Sequence, residues 1–276
     1  MYRYVRLLLF IILFLMVACS PEYKLARQYI RNHTGNSILI IPLYELYKDN
    51  LTITYDTNAI YSPAQFDSIA WEQSCYIKHV SDSIFLTTFT NSLLKELRKE
   101  EFEVYLSDRL QAFQELPDPK WLVKILQMQL NENHCMSTYQ VSYENAENYE
   151  YAIASLRINI LSLLSCFEAS PTITGHPKVL FRDESSMDGI TSGSQWILDK
   201  GNEGLQQNRD SLGIEDIYIL ADESGRKHAE ILFNHFMNEY IKKSLPEGII
   251  KNKYLYFNRK SQSLRPGLNE WSELAY

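Results

Sequence analysis

The sequence predicts an α+β fold: one mixed, largely antiparallel sheet with helices mainly on one face, preceded by a signal peptide. Three observations lead there. Segments 121–132 and 152–167 alternate apolar and polar residues, the pattern of strands with one wet face. Two stretches, one starting near Ser81 and one spanning about 214–245, repeat apolar residues at helical spacing. At the start, the apolar run Leu7 to Ala18 follows Arg3 and Arg6 and ends in small residues before a cysteine, as secretory signals do.

The elements follow in order. Leu7 to Ala18 is shorter than the about 20 apolar residues a membrane span needs. Residues 22–33 suit a short helix with Leu25, Ala26, Tyr29 and Ile30 on one side. Ser37 to Leu43 is a continuous Ile-rich run that fits a strand covered on both faces, with Pro42 marking its end. Residues 44–80 carry little periodicity, and Leu51 to Tyr55 suits a short strand. Ser81 or Asp82 caps a helix whose Phe85, Leu86, Phe89, Leu93, Leu94 and Leu97 share a face. Lys95, Arg98 and Lys99 complement its C-terminal dipole.

Phe102 to Leu106 reads as a strand, and Asp108 caps a short helix ending before Pro117. In segment 121–132, Leu126, Met128 and Leu130 are expected inward. In segment 152–167 the inward set is Ala154, Leu156, Ile158 and Ile160, and the two segments should pair as a long antiparallel hairpin joined by a polar connection, 133–149. Lys178 to Arg182 is the next meander strand, and 183–213 reads as mostly loop. The last helix carries a stripe from Ile214 through Gly225 to Tyr240. A mid-helix glycine costs about 1 kcal/mol against alanine. Its place on the stripe therefore points to close backbone packing, with a kink as the alternative. Pro246 stops the helix. The expected organisation is signal peptide 1–18, tether and short helix 19–36, domain 37–247 and tail 248–276.

The chain has 276 residues, is 45% hydrophobic and carries a net charge of −7. Removing residues 1–18 takes away Arg3 and Arg6 and makes it more acidic still. That balance argues against a nucleic-acid partner and against a broad electrostatic grip on anionic lipid. Apart from Cys19 there are Cys75, Cys135 and Cys166. An odd number leaves at least one unpaired. Cys166 reads as a buried small hydrophobe, and nothing in the flanking residues argues for a Cys75–Cys135 bridge.

No phosphate loop, dinucleotide fingerprint or nucleophile elbow is present, so neither a catalytic set nor a cofactor is expected. Ser192-Gly193-Ser194 lies in a polar stretch without the strand-to-helix setting an elbow needs. His228 and His235 are seven apart, the wrong spacing for a zinc pair, and Arg226 and Lys227 suggest a solvated face around His228. Adjacent His134 and Cys135 point to opposite faces of a strand, which argues against one shared site. Asp183, Glu184 and Asp188 lack the acid spacing of a calcium loop.

The chain is rich in tyrosine, and Tyr139, Tyr143, Tyr149 and Tyr151 gather around the hairpin connection. They are candidates for stacking on a sugar or a small ligand, or else for local packing. In the tail, Tyr254, Tyr256, Phe257 and Trp271 stand among lysines and arginines. They are candidates for docking a partner, or for wrapping their own domain.

Leu15-Met16-Val17-Ala18-Cys19 resembles the lipobox of bacterial lipoproteins, with Met16 where that family usually has leucine. The resemblance implies cleavage before Cys19, acyl chains on its thiol and new amino group, and hence a membrane partner through those chains. Several chains anchor firmly, at about 0.8 kcal/mol per buried methylene. In that family an aspartate after the cysteine retains the protein at the inner membrane. Ser20 in that place implies the outer membrane. Only one acid follows within Ser20 to Lys24, which implies a periplasm-facing rather than surface-exposed protein. The whole pattern resembles uncharacterised outer-membrane lipoproteins. It is also loosely similar, in element order and anchor, to small accessory lipoproteins of envelope assembly. The anchor, the missing catalytic set and the aromatic-rich candidates together lead to the expectation of a non-enzymatic binding or assembly factor with an envelope protein partner. A periplasmic glycan or small-ligand binder is the alternative, and a hydrolase a more distant one.

Overall fold

The computed structural model describes residues 20–32, 36–53, 62–116, 120–141, 149–169, 177–182, 189–192, 194–199, 204–209, 212–251 and 253–274. The fold is α+β, as the periodicities predict. One eight-stranded mixed sheet carries helices mainly on one face.

Helix α1 (Pro21–Asn32) leads into strand β1 (Ser37–Ile41), which stops before Pro42. Strand β2 (Tyr47–Asn50) and helix α2 (Pro63–Gln73) occupy the stretch with little periodicity. The strand lies before the stretch expected at Leu51 to Tyr55: Tyr47–Asn50 pair with β4, Leu51 and Thr52 form a turn, and Thr54 and Tyr55 lie outside the described residues. Helix α3 (Asp82–Lys99) starts where expected, with the Ser81 hydroxyl accepting from the Ile84 amide. Strand β3 (Glu103–Leu106) and helix α4 (Leu110–Gln114) follow.

The long hairpin is β4 (Lys120–Val141) with β5 (Tyr149–Ala169), then β6 (Lys178–Arg182) and β7 (Gly189–Thr191). A separate two-stranded sheet joins β8 (Ser194–Asp199) and β9 (Gly204–Arg209). Helix α5 (Ile214–Ser244) spans the domain, and the chain ends in β10 (Tyr254–Asn258), β11 (Ser263–Gly267) and β12 (Ser272–Glu273).

Strand order is β12-β6-β5-β4-β1-β3, with β2 beside β4 and β7 beside β5. β1 runs parallel to both β3 and β4, while β5, β6 and β12 are antiparallel to their neighbours. Ile38, Leu39 and Ile40 are all fully buried, as a strand covered on both faces requires. The expected inward face of β4 is correct only in part. A register shift between Ile125 and Gln127 reverses the parity of the strand. Trp121, Val123 and Ile125 are inward before it, Met128 and Leu130 after it, and Leu126 falls in the irregularity. On β5, Ile158 and Ile160 are inward as expected.

Three loop readings are corrected. Residues 133–149 are mostly strand: pairing runs from His134↔Leu156 out to Val141↔Tyr149. These residues form a two-stranded arm reaching roughly 25 Å, at about 3.3 Å per residue. Segment 183–213 contains β7, β8 and β9. The tail contains a hairpin and an edge strand. Each of these strands is short or two-sided polar, so a period of two is hard to recognise in it.

The expected boundaries at 36 and 248 do not separate bodies. Ala26 and Tyr29 of α1 lie in the same core as Leu255, Phe257 and Trp271 of the tail. Two asparagines on α5 dock the tail. The Asn238 side chain donates to the Leu255 carbonyl at 2.7 Å and accepts from its amide at 2.9 Å. Asn234 accepts from the Phe257 amide at 2.7 Å. The two amides thus act as a substitute strand for one edge of β10.

Gly225 does not break α5. A Cβ there would meet the Phe89 carbonyl oxygen of α3 at 2.4 Å, so α3 and α5 cross with backbones nearly in contact. Close packing is the correct reading, and α5 runs unbroken through Gly225 from Ile214 to Ser244.

Candidate functional site

Where α1 crosses the C-terminal half of α5, over the start of β4 and the end of β5, the surface opens into a cleft of about 280 Å³. Its walls are rings. Tyr29 lies 5.4 Å from Tyr240, and Trp121 is stacked on Phe236 at 4.4 Å. Its rim is amide: Gln28 and Asn32 from α1, and Asn36 immediately before β1. One end is closed by the Lys243–Glu168 ion pair, whose ammonium also sits 5.7 Å over the Trp121 ring. Partial burial lowers the pKa of Lys243, and burial pushes the Tyr29 phenol well above its ordinary range.

Local sequence explains how this site is held. Ser20 and Pro21 start α1, with the Ser20 carbonyl accepting from Tyr23 and Lys24. Ala26 and Tyr29 fix its inner face against α5. Ring faces with a few convergent amides suit a ligand or peptide segment that offers C–H surface and hydrogen-bonding groups together.

A larger cleft of about 610 Å³ runs between the end of α3, the middle of α5 and the β10–β11 hairpin. Several of its charges are paired: Arg259 with Glu100 at 2.9 Å and Lys99 with Glu96, while the Tyr256 hydroxyl donates to Glu230. It is the seam along which the tail docks.

Serine and histidine do meet in this fold. His228 Nδ1 donates to the Ser224 carbonyl at 2.7 Å, which leaves Nε2 to accept from the Ser162 hydroxyl at 3.1 Å. That is the geometry of a nucleophile and its base. Both residues are fully buried, however, beneath the rings of Phe89 and Trp271. A substrate cannot reach them, and the pair is a satisfied polar knot in the core.

The expectation of a solvated face at His228 is thus overturned. α5 is covered on nearly every side between His228 and Asn238, so flanking Arg226 and Lys227 do not report its surroundings. His235 is buried on the same side of α5, near Lys178 and Glu239. Among the described residues no group of three or more metal-ligating side chains is gathered.

Burial lowers the His235 pKa to about 4, against opposing influences from Glu239 and Glu273 and alongside Lys178 and Lys251. Unfolded, the imidazole titrates near its ordinary value of about 6.5. Between those values the unfolded chain binds the extra proton, so acidification favours unfolding. Stability from this group should be complete above about pH 6.5, fall as pH drops and level off below about 4, a loss of roughly 3 kcal/mol. His235→Gln should flatten that part of a urea-denaturation pH profile. An unchanged slope would show that other groups set it.

The sequence-derived candidates fall in different places. Cys19 lies outside the described residues, one residue before Ser20. Tyr143 and the acids Asp183, Glu184 and Asp188 also lie outside them. The β4–β5 register pairs Tyr139 with Tyr151 and Val141 with Tyr149. Phe257 and Trp271 are buried, so they serve the core and not a partner. Tyr254 and Tyr256 are half-buried, and burial raises both phenols. Cys166 is buried with its thiol pKa pushed up, while Cys75 is a free, exposed thiol. Ser192 binds the Leu156 backbone through both its amide and its hydroxyl, a strand-edge role. Sequence reading missed the cleft. The only trace of it is the Gln28/Asn32 spacing of four on the outer side of a helix.

No protein-family model matches the chain, and no curated protein matches it. Among solved structures, the chain is similar to a protein described as a neuraminyllactose-binding hemagglutinin homolog from Helicobacter pylori. The TM-score is 0.36 and the identity 8%, over 76% of this chain and 93% of that one.

Proposed function

We propose that the chain is a lipid-anchored bacterial envelope protein, a non-enzymatic binding or assembly accessory. It is held through acyl chains on Cys19 at the periplasmic face of the outer membrane. The observation that carries the binding role is the ring-walled, amide-rimmed cleft between α1, α5 and β4. Its contents recognise and do not react: rings, amides and one ion pair, with the Ser162–His228 pair sealed away from it.

The cleft takes a segment of an envelope partner. Crosslinking in intact cells should recover a specific partner with the native chain and lose it with Gln28→Ala/Asn32→Ala, whose side chains lie on the rim. An identical crosslinking pattern from both would remove the cleft as the binding site. The anchor has its own test. Cys19→Ser should block processing or release the protein from the membrane fraction, and unchanged association would defeat the lipoprotein reading.

A second reading rests on the register that pairs Tyr139 with Tyr151, with Tyr149 two residues before it on β5. Successive aromatic residues on a strand face suit stacking on a glycan. Glycan-array binding that disappears in Tyr139→Ala/Tyr151→Ala would favour it, and no array response would dismiss it.

A further inference from the structure

The folded domain begins immediately after Cys19. The Ser20 carbonyl already accepts the first helical hydrogen bonds, and α1 is docked into the core through Ala26 and Tyr29. An acyl anchor on Cys19 therefore has no slack, and α1 must lie at the lipid surface. The outer side of α1 is formed by Lys24, Arg27, Gln28 and Arg31, all exposed and spaced as one helical face. None of its three cations has a carboxylate partner among the described residues. This face stands out in a chain whose net charge is −7.

A second feature lies beside it. Tyr29 of α1 packs against Tyr240 near the end of α5, so the turn after α5 follows beside α1, and the charges of Glu22 and Glu239 both act on Lys251 in that turn. That turn exposes Ile249 and Ile250, the latter 79% accessible, between exposed Lys242 and Lys253. Glu247 is the one acid within it.

We infer that the outer face of α1 and the Ile249–Ile250 turn form a membrane-contact surface for anionic phospholipid. This inference rests on the proposed anchor at Cys19. Cations meet headgroup phosphates while the two isoleucines enter the boundary between headgroups and acyl chains. The acyl chains supply the attachment, and this surface supplies the orientation. With α1 against the bilayer, the rim residues Gln28 and Asn32 sit at the membrane surface. The cleft then opens towards a ligand or partner segment held there.

The test uses the full lipidated chain reconstituted into vesicles rich in phosphatidylglycerol. Cysteine probes react with a membrane-impermeant maleimide and are quantified site by site, with native Cys75 read separately. Ile250→Cys should label several-fold more slowly in vesicles than in detergent. Leu110→Cys should label equally fast in both, because α4 packs on the other face of the sheet: its Phe113 lies against Lys120, whose side chain points away from that of Trp121 under α5. Adding Arg27→Glu/Arg31→Glu should restore fast labelling at the Ile250 probe while the protein still floats with the vesicles. A chain that floats yet labels equally fast at that probe in vesicles and detergent overturns the orientation alone. A chain that does not float overturns the anchor, and the orientation with it.

Discussion

Gly225→Ala should destabilise the protein by about 2 kcal/mol or more, and Gly225→Val should prevent stable folding. In an ordinary helix interior the alanine change stabilises, by about 1 kcal/mol. Here the new methyl would stand 2.4 Å from the Phe89 carbonyl oxygen, 2.9 Å from the Ser92 Cβ and 3.1 Å from the Leu93 amide. Two of the three obstacles are backbone, so no rotamer change relieves the clash and α3 must move away from α5. That movement would loosen Phe89, Leu93 and Leu97, which form the face α3 turns to the core. It would also stretch the Ser92–Asp222 hydrogen bond, the main cause of the lowered Asp222 pKa. Urea unfolding decides the matter: equal or greater stability of the alanine variant would mean that the helices separate at little cost.

Glu132→Leu should cost roughly 3–5 kcal/mol, the range for leaving several buried donors without an acceptor. The Glu132 carboxylate is fully buried at the end of the β4 segment that carries β2. It accepts from the Ser74 hydroxyl at 3.0 Å and from the amides of Cys75, Tyr76 and Ile77 at 2.8, 3.0 and 3.2 Å. No other acceptor in the site replaces four such bonds. Glu132→Gln keeps one acceptor oxygen and should lose less. Hydrogen exchange distinguishes local from global damage. The amides of 75–77 should lose protection first in the glutamine variant, and the whole sheet should weaken in the leucine variant. If Glu132→Leu were as stable as the native chain, the loop would have an alternative anchor and the carboxylate would be dispensable.

These two residues differ in how legible they are. Gly225 announces itself: a costly residue in the middle of an apolar helical stripe has few explanations, and close approach is one of them. Glu132 gives no such signal. It sits where an alternating strand turns polar, and its partners are some 55 residues earlier in the chain. The same contrast runs through the site. Tyr29 lies on the apolar side of a short helix and is expected to pack, whereas Trp121, Tyr240 and Asn36 meet it only because β4, α5 and the start of β1 converge. His228 was misread because the charge of its neighbours in sequence describes a helix surface only when one side of that helix faces water.

Sequence alone determined the α+β class, the two long helices, the β4–β5 hairpin and the β6 meander strand. Each of these is written in a period of 3.6 or 2 that repeats over many residues, so burial of one face leaves a local record. The tertiary structure decided the rest. The strand pairing of β2, the register shift in β4, the docking of the tail by Asn234 and Asn238, and the burial of His228 and Glu132 have no local record. A polar group is identified as core only by a partner that satisfies it, and those partners arrive from distant parts of the chain. The cleft has the same origin, since its rings, amides and ion pair come from four elements that share no neighbourhood until the sheet and α5 bring them together.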